Sequence, residues 1–202
     1  MHMRSFLSKA GLTASLGLAF ALTAGVAHAA EVRGINFPET KQAEGQQLRL
    51  NGAGDRSMLG MATYAAGLYV ENPTTNAQQL IQSDQVKRLE LHMLRDLSKQ
   101  QFGDALTRGM RANTTQQEFQ QLQPKLNDLV SALPDFKKGQ VVNITFRPDQ
   151  VTVEAPGIQP KTVQGQDFSR AALEIWLGEN PAQQSLKREL LRGAEQPRAS
   201  MR

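Results

Sequence analysis

Residues 51–72, NGAGDRSMLGMATYAAGLYVEN, decide how the rest of the chain is read. Gly52 and Gly54 bracket Ala53, which predicts a turn with positive φ at that point. Arg56 then opens an extended run. Side chains alternate along a strand, so Met61, Thr63, Ala65, Gly67 and Tyr69 share one face, and Ala62, Tyr64, Ala66, Leu68 and Val70 share the other. Neither face carries a charge, so a strand here is covered on both sides. Tyr64 follows Arg56 by eight residues, an even spacing that puts both on one face of an unbroken strand. A guanidinium and a phenol at the edge of an apolar space suit an acid with a greasy body.

Upstream, Leu48 and Leu50 alternate with Arg49, as in a strand leading into the glycines. Residues 30–44 predict an irregular lead-in with a short strand at 32–37. Downstream, Asn72-Pro73 is a turn signal, and residues 76–81 suit a short helix. Residues 87–94 alternate Leu89, Leu91 and Met93 with Arg88, Glu90 and His92, a strand that leaves His92 on a polar surface. Arg95-Asp96 closes it as a local pair of charges.

Two helix starts follow. Ser98-x-x-Gln101 and Thr115-x-x-Glu118 are both capping boxes. Behind the first, Phe102, Ala105, Leu106 and Met110 recur at helical spacing. Behind the second come Phe119, Leu122, Leu126, Leu129 and Leu133, with Pro124 placed to kink or split that helix. Residues 141–146 and 151–154 read as a hairpin joined through 147–150, and 161–165 as a further strand. Asp167 suits a helix N-cap. Phe168, Ala171, Ala172 and Ile175 share a face beyond it, with Trp176 flanking and Gly178 as the stop. Asn180-Pro181 opens a last helix to residue 191, and residues 194–202 form a loose tail. The order is strands, helices, strands, helices. This is not the βαβ alternation, so the expected class is α+β, an antiparallel sheet covered by helices.

The N-terminus reads as a signal peptide over 1–29. Arg4 and Lys9 precede a mostly apolar run, and Ala27-His28-Ala29 is a small-x-small cleavage site. The remaining chain is then exported, to the periplasm or beyond, with no stable membrane insertion after cleavage. Losing Arg4 and Lys9 leaves 21 basic residues against 19 acidic, a net of +2. No basic run is interleaved with aromatics, so nucleic acid is not indicated as a partner. Cysteine is absent, which excludes disulfides, thiol nucleophiles and thiolate metal sites. His92 is the single histidine after the leader, and no metal or cofactor is expected.

Together, NGAGDR at 51–56, YAAGLYV at 64–70, KRLELHMLRDLS at 87–98, FKKGQVVNITFRP at 136–148 and GQDFSRAALEIWLGENPAQQSLKRELL at 165–191 resemble the chalcone isomerase-like proteins, in their exported bacterial branch. The resemblance spans residues 46–193 within a single domain at 30–193. It implies an open-faced β-sandwich: a large antiparallel sheet, a layer of helices and a ligand cleft between them. Members with this fold either cyclise chalcones, as intramolecular lyases, or bind fatty acids without catalysis.

The isomerase pattern is matched only in part. Its cleft arginine falls at Arg56, where the charge would steady an enolate. Its polar cleft residues fall at Tyr64, near Phe119 and Leu126, and at Ile175, with Trp176 beside the last. The fatty-acid-binding pattern fits better, because an arginine and a tyrosine on the next strand hold the carboxylate there, and Arg56 and Tyr64 match both. The resemblance therefore implies a non-catalytic protein that binds a small apolar acid, such as a fatty acid, in a cleft headed by Arg56 and lined by Tyr64, Phe119, Ile175 and Trp176. The alternatives are an isomerase working through Arg56, and a scaffold for an unknown protein partner with a collapsed cleft.

Overall fold

Alternation of apolar residues at period two builds nearly all of the sheet, and the strands pair in the order they occur in the chain. A computed structural model describes residues 28–193. The signal peptide and the loose tail lie outside the described residues, apart from the backbone at 28 and 29. Seven strands, β3 (Thr40–Ala43), β4 (Gln46–Met58), β5 (Met61–Val70), β6 (Lys87–Met93), β7 (Val141–Arg147), β8 (Gln150–Glu154) and β9 (Lys161–Gln164), form one sheet in that order. Every pairing in it is antiparallel. The helices are α1 (Ala77–Gln82), α2 (Lys99–Asn113), α3 (Gln116–Ala132), α4 (Gln166–Leu177) and α5 (Gln184–Leu190). The class is α+β, as expected.

The residues before Glu44 are more regular than the sequence suggests. Instead of an irregular lead-in, β1 (His28–Val32) and β2 (Ile35–Pro38) pair as a separate hairpin. Arg33 and Gly34 turn it with φ of 53° and 77°, the left-handed pair that matches strand twist.

The glycines at 52 and 54 do not make a turn. β4 runs straight through them, with a register shift between Leu50 and Gly52. They are needed because α5 lies against this strand. A Cβ on Gly52 would stand 2.1 Å from the Glu189 carbonyl oxygen, and one on Gly54 would stand 2.6 Å from Glu189 Cβ. Beside them, the buried Asn51 donates from Nδ2 to the Leu190 carbonyl at 2.7 Å and accepts the Thr74 N–H at 2.7 Å. NGAG is thus a docking strip for the last helix.

Pro124 does not split α3, which continues through it. Two expectations at helix ends are corrected. α4 is capped by Gly165 at φ 130°, and Asp167 sits inside the first turn, where it accepts from Lys125 Nζ at 3.0 Å. Asn180 closes the end of α2 by bonding Asn113 and Ala112, so α5 begins only after Gln183. Both capping boxes form as read.

Two apolar layers flank the sheet. Leu68, Leu89, Leu91, Ile144 and Phe146 face the helices, while Phe37, Leu48, Leu50 and Tyr69 lie in a smaller cluster on the opposite side. That second layer corrects the placing of His92 on an open polar surface. Phe37 of β2 meets the His92 ring edge-on at 5.2 Å, and Glu90 beside it is only 4% exposed. Glu90 accepts from Lys41 Nζ of β3 and bonds His92 Nε2 at 2.6 Å. A buried carboxylate with these two partners ties the edge strand β3 to β6 across the face that Phe37 covers.

Burial pushes the Glu90 carboxyl up, but the hydrogen bonds from His92 and Lys41 outweigh it, so its pKa lies below the ordinary 4.5. The unfolded chain takes up this proton at a higher pH than the folded chain does. Glu90 therefore stabilises the fold above about pH 4.5, and that contribution is lost as the pH falls through the folded value. Glu90→Gln will flatten the acid limb of the stability profile while costing stability at neutral pH. Urea unfolding of both proteins across pH 3–7 measures the two slopes; parallel acid limbs would refute this assignment.

Candidate functional site

β4 and β5 are joined by a tight turn at Leu59-Gly60, so Arg56 and Tyr64 are not on one unbroken strand. They are nevertheless direct cross-strand partners in the antiparallel register. Residues directly opposite project to the same face of a sheet, so the shared face comes from pairing and not from spacing: Met58 faces Met61 and Ser57 faces Ala62, and the register shift between Arg56 and Ser57 then brings Arg56 opposite Tyr64. Arg56 Cζ stands 5.9 Å from the centre of the Tyr64 ring, within cation–π range.

The carboxylates of Asp55 and Asp96 are engaged elsewhere. Asp55 pairs with Arg33 at 3.3 Å and accepts from Ser57 Oγ, and Asp96 pairs with Lys137 at 3.0 Å. Among the described residues, Arg56 has no ion-pair partner. It is partly exposed, while Tyr64 beneath it is buried.

The Tyr64 hydroxyl accepts a hydrogen bond from Trp176 Nε1 on α4 at 3.0 Å. No acceptor among the described residues takes the hydroxyl's own proton. Burial pushes the phenol pKa up, against the opposing pull of the Arg56 charge and the Trp176 bond, so the group stays a neutral donor.

Trp176 carries this chain of contacts into the helix layer. With Ile175, Phe168 and Ala172 of α4 it walls a void under the helices, closed by Phe102, Leu106 and Met110 of α2, by Leu126, Leu129 and Leu133, and by Ile144, Val151 and Val153 of the sheet. Its volume is about 20 Å³, and every wall is apolar. A site of that size and lining holds no ordered polar guest.

The five residues singled out in the sequence thus divide. Arg56, Tyr64 and Trp176 form one continuous line from surface to interior, and Ile175 joins it at the void. Phe119 stands apart, its ring covered by the Arg111 guanidinium at 4.6 Å. The sequence shows Phe102, Met110 and Phe168 as helix core stripes, without sign that they would bound the void. Among the described residues, no three His, Asp or Glu side chains gather as metal ligands would.

Tyr64→Phe removes the acceptor for a buried indole N–H, so it will cost about 1–3 kcal/mol of stability. Trp176 is the sole tryptophan, so its fluorescence reports both the unfolding and the lost bond. Unchanged emission and an unchanged midpoint would show that the two side chains do not meet.

A family model described as chalcone isomerase-like matches residues 29–192. A crystal structure of a fatty-acid binding protein from Arabidopsis thaliana is similar, with a TM-score of 0.62 and 18% identity over 79% of this chain and 92% of that chain. At that identity the likeness concerns the fold. No curated protein matches the chain.

Proposed function

The chain belongs to the chalcone isomerase-like family, and from that premise we propose that it binds a small apolar acid, such as a fatty acid, without catalysis. Arg56 takes the carboxylate. The observation that carries this reading is a guanidinium with no carboxylate partner among the described residues, set against a phenol whose proton is uncommitted. Together they offer an anion two kinds of donor, one charged and one neutral. Trp176 then links that head site to an apolar interior suited to a hydrocarbon tail. The fatty-acid binding relative in the same fold supports the choice of ligand class. The leader at 1–29 would place this activity in the periplasm or outside the cell.

The void of about 20 Å³ is far below the few hundred Å³ of an ordinary ligand pocket. Binding therefore requires α2 and α4 to part around Trp176, with Met110 yielding most easily because its side chain is unbranched. The same small volume favours a second reading, a partner-binding domain whose cleft has collapsed.

Native mass spectrometry of protein purified from cells, with organic extraction of whatever it carries, separates the two. A bound acid of defined mass supports the carrier. A uniformly empty protein that cannot be loaded supports the collapsed cleft. Cyclisation of an added chalcone, lost in Arg56→Ala, would instead show an isomerase.

A further inference from the structure

The tip of the β4–β5 hairpin is exposed and apolar. Among the described residues, the large hydrophobic side chains left in water are Leu59 at 92% exposure, Met61 at 55% and Met58 at 41%. All three sit within four consecutive residues, with Gly60 between them. The base of the tip is fixed, because the Ser57 N–H donates to Gln183 Oε1 at 2.9 Å. The protein therefore presents an exposed apolar knob with Leu59 at its tip.

The turn chemistry makes the leucine stand out. Among the described residues, three two-residue turns pair a left-handed residue with a glycine: Arg33-Gly34, Glu44-Gly45 and Leu59-Gly60. The first two carry charged side chains, as suits a solvated turn. Leu59 takes the same strained position at φ 52° and buries nothing in return.

The end of the sheet around the tip is cationic. Arg56 precedes Met58 by two residues. Arg95 follows Leu94, whose N–H donates to the Thr63 carbonyl of β5. Lys138 lies in the turn whose Gly139 N–H donates to the Met93 carbonyl. None of the three side chains forms an ion pair among the described residues, although the Lys138 backbone N–H donates to Asp96 Oδ1 at 2.9 Å. Arg33 and Lys137 stand at the same end, paired with Asp55 and Asp96.

We propose that this tip docks the protein on an anionic lipid surface, with Met58, Leu59 and Met61 in the acyl boundary and Arg56, Arg95 and Lys138 among the headgroups. The knob is too small for a stable protein interface, which takes roughly 800 Å² from each partner. A few apolar side chains ringed by cations are what interfacial binding needs. No described helix is long and apolar enough to cross a membrane, and the docking proposed is a peripheral one made by the hairpin tip. The inference rests on the carrier reading for its purpose, since docking puts Arg56 at the level where an acid would leave the bilayer. It does not rest on that reading for its geometry.

The test compares the protein with a Met58→Ser, Leu59→Asn, Met61→Ser variant bearing the same N-terminus. Sedimentation is measured with phosphatidylglycerol–phosphatidylcholine vesicles and with phosphatidylcholine alone. The wild type should bind the anionic vesicles, more weakly in salt and on neutral vesicles, and the variant should lose about tenfold or more. Leu59→Asn suits the turn better than leucine does, so the variant should keep its thermal midpoint. Failure of the wild type to sediment, equal sedimentation of the variant, or dimerisation through the tip in place of vesicle binding would each overturn the proposal. Dodecanoate binding without vesicles is measured on both proteins. Retention in the variant supports a tip separate from the acid site, and its loss overturns that separation. If neither protein binds dodecanoate while the wild type still docks through its tip, the carrier reading fails and the docking stands.

Discussion

Gly52→Ala will destabilise the protein by about 3 kcal/mol or more, at the upper end of what one added methyl group does in a packed site. The clash is with main chain: the new Cβ would lie 2.1 Å from the Glu189 carbonyl oxygen and 2.8 Å from the Leu190 carbonyl carbon. No rotamer change relieves contact with a backbone. Either β4 shifts, against its ladder to β5, or α5 lifts away. Lifting α5 also breaks the Asn51–Leu190 bond and exposes Leu186 and Leu190, both buried under it. Urea unfolding measures the cost, and faster proteolysis at the C-terminal helix would show which side yields. Gly34→Ala is the control. It meets open space at φ 77°, so it carries only the backbone penalty of roughly 1 kcal/mol. Equal losses for the two would refute the docking-strip account.

Arg56→Ala will lower affinity for a fatty acid by about 10- to 150-fold, the equivalent of one charge-assisted hydrogen bond at 1.5–3 kcal/mol. The fold should barely notice. Arg56 forms no ion pair among the described residues, and its contact with the Tyr64 ring is worth under about 1 kcal/mol at a partly exposed site. This split between binding and stability is the useful signature. A core residue would lose both together. Arg56→Lys keeps the charge without the planar fork and should fall between the two. Calorimetric titration with unchanged affinity in Arg56→Ala would remove the head site and with it the carrier.

Much of the architecture is legible in the chain because it depends on local rules. Alternation along residues 87–94 and the hydroxyl-to-carboxyl or amide spacing at Ser98 and Thr115 are decided within a few residues, and those elements form as read. The glycines at 52 and 54 mislead for a physical reason. A glycine that allows a left-handed turn and a glycine that lets a distant backbone approach look identical in sequence, and the approaching helix lies more than 130 residues further on. Glu90 and His92 show the same limit. Alternation says which face they occupy, but only the β1–β2 hairpin and Lys41 decide that this face is covered.

The candidate site is half legible. Arg56 and Tyr64 do share a face, but through a register shift beside the turn and not through the even spacing along one strand, and the Tyr64–Trp176 bond joins residues 112 apart with nothing local to announce it. The helix at Asn180-Pro181 starts late because Asn180 is taken by α2.

In the large sheet every hydrogen-bonded neighbour is also the next strand along the polypeptide. Such a ladder can zip up in the order in which it leaves a ribosome or a translocation pore. The late helices reach back instead: Trp176 of α4 bonds Tyr64 of β5, and α5, the last described helix, lies on β4, the first long strand. Among the described elements, the first long strand is therefore covered on its helix side only once α5, made long after it, has been synthesised.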